Sequence, residues 1–492
     1  MNPRESLLTN LISYCDSDYY PFHMPGHKRA SLPFPNPWQV DITEIEGFDN
    51  LHHAEGILLQ LEQEAARLFG ARKSFCLVNG STCGLLSAVS ACVKPGGKLL
   101  MSRNCHKSVY HGVYLRNITP VYIMPELTDF DIMGSITPAS VEAALKEHPD
   151  IQAVLIVSPT YDGVVSDVEQ IAGLAHEHGV PLIVDEAHGA HFPLYEEFPA
   201  SALNCGADIV IQSLHKTLPA FTQTALLHLN SSRIEESVVR RFLGIYQSSS
   251  PSYLLMASID QCLKHIQENG QELFAALHQN LNTFYEKCKT LNYIQVFQGQ
   301  QTGTAGFFDW DFSKILISAV RLGLSGQQLH DIFLEDYHIQ LEMASGHYAL
   351  ALASLMDTKE GFIRMFAALK DIEQRAEEGR LFVQASAASD TLISQTPSAD
   401  IISVRELYHI PAQAITISEA LERSSETISL EASLGKISQE YLYLYPPGIP
   451  LITPGEYIDK QLLDSVEKIK KSHLSLEGLS DLTNTRIKIV NS

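Results

Sequence analysis

From about residue 55 the chain alternates stretches of helical periodicity with short β-rich apolar runs: KSFCLV, GGKLLM, TPVYIM, IQAVLIV, VPLIVDEAH and ADIVIQSLH. Continuous apolar runs of this length, separated by amphipathic helical segments, predict strands buried on both faces of a helix-covered, mainly parallel sheet, and so an α/β fold. Near Gly299 the pattern changes to a second, smaller α/β segment that contains TAGFFDW, KILISAV and YHIQLEM and closes on the amphipathic GFIRMFAALKDIEQRAEEGR. QASAASDTLISQTPSAD (384–400) is rich in Ser, Ala and Thr and suits a linker. Beyond it lies a separate C-terminal unit whose YLYLYPPGIPLITPGE predicts strand, rigid turn, strand, because its prolines and glycines exclude a long helix. The expected organisation is an N-terminal segment (1–50), a large domain (51–300), a small α/β domain (301–380), a linker (381–400) and a C-terminal α+β domain (401–492).

At 492 residues, 45% hydrophobic and 19% charged, the chain can bury two or three cores. No run reaches the roughly 20 apolar residues of a membrane span, and the start MNPRESLLTN lacks the regions of a secretion signal, so the expected location is the cytoplasm. The eight cysteines are scattered without a CxxC pair, which fits reduced thiols. A formal net charge of −22 and the lack of a Lys/Arg cluster speak against nucleic acid or anionic membrane as partners and are compatible with a cationic ligand.

The candidate chemistry gathers at strand ends, where open α/β sheets bind ligands. QSLHKT places Lys216 just beyond ADIVIQS; taken alone, such a lysine is a solvated surface residue. PLIVDEAHG ends another strand on Asp185, a carboxylate that needs a positive partner if buried, and a pyridinium nitrogen is one such partner. SFCLVNGSTCGLLSAV reads as strand, Gly-Ser turn and helix start, so the backbone N–H groups near Ser81, Thr82 and Cys83 face an anion such as phosphate, or merely belong to an ordinary N-cap. Ser213 and His215 precede Lys216 and reach the same phosphate, while His106 follows KLLMS, where an imidazole can stack on an aromatic ring. DEAHGAH also offers Asp185, His188 and His191 to a metal. Their spacing by three along a continued strand sends successive side chains to opposite faces, and no HExxH-like pair occurs, so no metal is expected.

With these residues in place, the sequence resembles the Orn/Lys/Arg decarboxylase family, in its short bacterial form, over nearly the whole chain. The resemblance is carried in family order by PFHMPGHK (21–28), DITEIEGFDNLHHAEG (41–56), NGSTCG (79–84), RNCHKS (103–108), SPTYDGVVSDV (158–168), VDEAHGAHF (184–192), QSLHKT (212–217) and YPPGIPLITPGE (445–456). It implies the aspartate-aminotransferase fold and pyridoxal 5′-phosphate as cofactor, carried as a Schiff base by Lys216. Asp185 would then partner the pyridine nitrogen, His106 stack on the ring, and His188 lie at the ring's edge. Ser81, Thr82, Cys83, Ser213 and His215 would hold the phosphate, with Ser248 or Ser249 of YQSSSPSYLL reaching a neighbouring subunit's phosphate.

The implied reaction is decarboxylation of a cationic amino acid, arginine before lysine or ornithine, in a homodimer or tetramer whose active sites are shared across the interface. Catalysis would fall to Lys216, Asp185, His188 and His106. Asp41, Glu44, Asp49 and Glu456 are candidates to meet the distal substrate charge. Two positions depart from the family pattern: Cys83 in the phosphate turn, and Asp162 after Tyr161, where an aromatic or amide is common. The same constellation serves aminotransferases and a cofactor-binding regulatory homologue without turnover, and these are the alternatives.

Overall fold

The computed structural model describes residues 6–491 apart from 31, 129, 301, 305, 386–388, 393–402, 404–406, 446–447 and 472–473. The six apolar runs form the expected strands, Lys73–Leu77, Lys98–Ser102, Thr119–Ile123, Ile151–Val157, Leu182–Asp185 and Ile209–Gln212, which all run the same way in one seven-stranded sheet. The seventh strand, Ala225–Leu229, lies antiparallel between Lys73–Leu77 and Ile209–Gln212. Helices cover both faces, so the central strands Leu182–Asp185 and Ile209–Gln212 are buried at every residue and can be apolar throughout. The polar exceptions in this core hydrogen-bond to one another. His228 Nδ1 lies 2.7 Å from Ser74 Oγ and its Nε2 3.1 Å from Gln212 Oε1, and Gln212 Nε2 donates to Glu186 at 2.6 Å. Ser201 Oγ and Ala202 N–H complete the shell of Glu186, both at 2.7 Å, and burial pushes that carboxyl up to about 7.

The 36-residue helix Tyr253–Cys288, capped by Ser252, leads from this sheet to a second one. There Gln295–Val296, Lys314–Ser318, Ala349–Leu352 and Met343–Ala344 pair antiparallel in that order beside helices Gly326–Tyr337 and Lys359–Glu377. Two segments assigned to the small domain by pattern pair elsewhere. Asp309–Trp310 joins Val164–Val165 of the large domain, and Ile339–Leu341 runs parallel to Tyr20–Phe22 of the N-terminal segment. The N-terminal segment is thereby fastened to the small domain. The stretch read as a linker begins with an antiparallel hairpin, Phe382–Ala385 with Ser389–Leu392, and the rest of it lies outside the described residues.

The C-terminal unit pairs Ser425–Ser429 with Arg486–Val490, and Leu442–Tyr445 with Ile449–Ile452 and Ser475–Glu477, so the two strands expected in 441–456 are present, while turn positions 446–447 lie outside the described residues. Among the described residues no helix is long and apolar enough to cross a membrane.

Candidate active site

The carboxyl ends of the parallel strands converge on one edge of the large sheet, and the chemistry-bearing side chains follow them directly. Asp185 is the last residue of its strand, Lys216 lies four residues past Gln212, and His106 lies four past Ser102. Lys216 Nζ lies 2.9 Å from His188 Nε2. Burial draws the Lys216 amine down to about 8, with Asp185 pulling the other way, so at neutral pH about a tenth of these amines are unprotonated, against fewer than about one in a thousand for an ordinary lysine. His188 is held well below the ordinary histidine range, first by burial and then by the Lys216 charge, so a neutral imidazole faces the amine. Burial raises the Asp185 carboxyl, while Lys216 and the Ala187 N–H, 3.2 Å from Oδ1, oppose the rise. A carboxylate only 3% exposed with one backbone donor is suited to a further cation.

The segment expected to meet a phosphate lies at a helix start. Helix Gly80–Cys92 starts at Gly80, whose φ of 74° suits the turn out of the strand. Its N-cap, Asn79, makes no side-chain cap because its carboxamide oxygen accepts from Ser248 N–H at 3.1 Å, which leaves the first-turn N–H groups at Ser81 and Thr82 without that partner. Ser213 Oγ and Thr217 Oγ1 are buried without a hydrogen-bond partner among the described residues, as is His188 Nδ1. Buried polar atoms of this kind call for a ligand with acceptor oxygens and a ring-edge polar group, and an aromatic phosphate meets both demands. His215 is lowered to about 4 by burial and keeps Nδ1 3.0 Å from Thr224 O. His106 caps helix Lys107–Leu115 through Nδ1, 3.2 Å from Ser108 N, and desolvation first, then the Lys216 charge, lower it to about 4.

Several candidate side chains are held by other partners. The Cys83 thiol is buried in the apolar core, donates to Gly80 O at 3.1 Å and is pushed up to about 12 by burial, so only its backbone can face an anion. Asp49 has its carboxylate filled by the N–H groups of Asn50, Glu55, Gly56 and Leu58, which outweigh desolvation and lower its pKa. It organises the DNLH turn and is spent. Glu456 is fully buried, accepting from Arg103 Nη1 at 2.6 Å, Arg103 Nη2 at 2.9 Å and Thr453 N–H at 2.7 Å, and it fastens the C-terminal unit to the large domain rather than meeting substrate. Asp41 is exposed and Glu44 half-buried, and neither is brought to Lys216 by any described contact. Ser248 and Ser249 are exposed; the Ser248 carbonyl lies 2.8 Å from His52 Nε2, which ties the DNLH segment to the start of the phosphate helix. His191 faces Asp311 at 3.2 Å while His188 faces Lys216, so the metal-like triad diverges. Asp162 is buried, raised to about 6 by burial, and accepts from Tyr348 O–H at 2.5 Å.

The N-terminal PGHK segment is docked on the lysine loop. Gly26 N–H donates to His215 O at 2.7 Å, and a Cβ at Gly26 would come within 2.7 Å of Leu218 backbone atoms, so no larger residue fits. Lys28 Nζ donates to His23 O at 2.9 Å and Leu352 O at 2.7 Å, which joins this segment to the small domain. Pattern reading also missed Glu342. It accepts from Met24 N–H at 2.8 Å and from the Tyr161 hydroxyl, and the Tyr161 ring lies 4.6 Å from the His188 ring. The one sequence signal for it is an acid placed directly after the apolar strand Ile339–Leu341.

A lysine-centred crevice at the carboxyl edge of this sheet defines an α/β enzyme of the aspartate-aminotransferase fold. An alanine–glyoxylate aminotransferase from Nostoc sp. shares that fold with a TM-score of 0.55 at 14% identity, over 76% of this chain and 97% of its own. The chain belongs to the Orn/Lys/Arg decarboxylase family: residues 5–312 match the family's major domain and 402–481 its C-terminal domain. It is thus an amino-acid decarboxylase, a carbon–carbon lyase. An arginine decarboxylase of Bacillus subtilis strain 168 is 31% identical over 98% of this chain and 97% of its own. Lysine decarboxylase A of Pseudomonas aeruginosa superposes with a TM-score of 0.77 at 20% identity, covering 92% of this chain and 74% of that one.

Proposed function

We propose that this protein uses pyridoxal 5′-phosphate to decarboxylate arginine to agmatine and carbon dioxide in the cytoplasm, and that it works as a homodimer or tetramer with shared sites. The observation that carries the reading is the half-buried Lys216 amine, drawn down to about 8, with neutral His188 at 2.9 Å and buried Asp185 in its field. The near-full-length likeness to arginine decarboxylases favours arginine over lysine and ornithine.

When bound, the cofactor supplies a carbonyl to hold the substrate amine and an aromatic system that takes up the electron pair released as the Cα–carboxylate bond breaks. The protein's part is positioning and proton control. Asp185 holds a proton on the ring nitrogen, as a buried carboxylate facing a cation does. His106 offers its ring face for stacking. The N–H groups of Ser81, Thr82 and Cys83, together with Ser213 Oγ and His215, hold the phosphate at the helix start, with Ser248 or Ser249 serving the neighbouring subunit's phosphate. Neutral His188 would steady Lys216, and the Lys216 ammonium would return a proton to Cα once carbon dioxide has left.

The test is parallel measurement of carbon dioxide and amine from arginine, lysine and ornithine with purified protein carrying the cofactor. Equal amounts of carbon dioxide and agmatine from arginine, at a kcat/KM at least tenfold above the other two, are expected. A keto acid in place of the amine would mean transamination, and no turnover despite bound cofactor would mean a regulatory role.

A further inference from the structure

Each of the three lysines that act on one another here has a carboxylate in its field. Lys216 faces Asp185, Lys28 lies 3.7 Å from Asp357, and Lys314 lies 3.9 Å from Asp311. Glu342 differs. Its oxygens accept only from neutral donors, the Met24 N–H at 2.8 Å and the Tyr161 O–H, and among the described residues no cationic nitrogen lies within 4.0 Å of it. Its charge nevertheless acts on Lys216, and on Lys28 and Lys314 as well. Two rings in tilted contact connect it to Lys216. His188 touches Lys216 Nζ at 2.9 Å, Tyr161 packs on His188 with centroids 4.6 Å apart, and the Tyr161 hydroxyl is on Glu342.

A half-buried carboxylate whose hydrogen bonds come from neutral donors, with no direct ion pair, keeps room for an incoming cation. The charge of an extended lysine or arginine side chain lies about 6 Å or more from its Cα, which matches a receptor set off from Lys216 by the width of two rings. A substrate α-carboxylate would be repelled there, so the distal group is the one that fits. We infer that Glu342, held in place by Tyr161 and the Met24 N–H, receives the distal cationic group of the substrate and sets the preference for basic amino acids.

This assignment rests on the decarboxylation proposed above. It joins three parts of the chain: Met24 of the N-terminal segment, Tyr161 of the large domain and Glu342 of the small one. The receptor therefore forms only when the N-terminal segment and the small domain are both seated against the lysine loop.

The test uses the holoenzyme with arginine and its neutral isostere citrulline. Glu342→Gln is expected to lower kcat/KM for arginine about 100-fold, chiefly through KM, to leave citrulline turnover within threefold, and to weaken agmatine binding in calorimetry about 100-fold, while the cofactor absorbance stays unchanged. Glu342→Asp keeps the charge but draws it back by one methylene. It is expected to retain discrimination against citrulline and to shift preference further toward arginine, the longest of the three substrates, so it carries the test if the glutamine variant does not fold. An unchanged arginine-to-citrulline ratio in Glu342→Gln, or an unchanged ratio of arginine to lysine kcat/KM in Glu342→Asp, would overturn the inference alone. Failure of the unaltered enzyme to release amine from any basic amino acid would overturn the proposed function and this assignment together.

Discussion

Lys216→Ala is expected to lower amine release by at least about 10³-fold, because it removes both the covalent anchor and the proton carrier at Cα. The protein should meanwhile stay folded. The depressed pKa of Lys216 means that the fold disfavours its charge, so deleting the side chain removes a desolvated cation rather than a stabilising contact. Asp185 would lose its nearest positive field and shift further toward the protonated form. A thermal midpoint within a few degrees of the unaltered protein, together with loss of turnover and of the visible absorbance of bound cofactor, is the expected pair of results. A large fall in thermal stability would instead mark Lys216 as structural.

The second large effect concerns stability. Arg103 is fully buried, its guanidinium bidentate on Glu456 and stacked 4.6 Å from the Tyr122 ring. Glu456→Ala strands that cation and leaves Thr453 N–H without its acceptor, which should cost about 3–5 kcal/mol. Denaturant unfolding and protease sensitivity of the C-terminal unit would read the loss. Replacing both residues by apolar ones, Arg103→Met with Glu456→Leu, should recover much of it, since well-packed apolar groups often replace a buried ion pair without penalty. Catalysis adds a second readout. Arg103 begins the RNCHKS run and its carbonyl accepts from Tyr110 O–H at 2.7 Å, so the pair positions His106 rather than substrate. In Glu456→Gln, KM for arginine should change less than threefold.

The sheet was legible because buried parallel strands are apolar at consecutive positions, and each of the six runs is a strand. The seventh, Ala225–Leu229, escaped notice: it carries His228, whose partners Ser74 and Gln212 come from neighbouring strands. The pairings of Ile339–Leu341 with Tyr20–Phe22 and of Asp309–Trp310 with Val164–Val165 are equally non-local, so composition could not show them.

Lys216, Asp185, His188 and His106 could be placed at the carboxyl edge of the sheet because each lies at or just past a strand end in an identifiable motif. Side-chain direction could not be found that way. Cys83 turns into the core, Asp49 is filled by four backbone donors and Glu456 by Arg103, outcomes that tertiary packing decides. Glu342 is 181 residues from its partner Tyr161, and neither neighbourhood alone marks it as part of the site.

The most direct test of the central claim is reductive trapping of the cofactor with borohydride, followed by mass spectrometry of the digested protein. The account predicts a pyridoxyl 5′-phosphate group on the peptide that contains Lys216 and on no other. Labelling of Lys28 or Lys314 instead, or no labelled lysine in protein that releases agmatine from arginine, would contradict it.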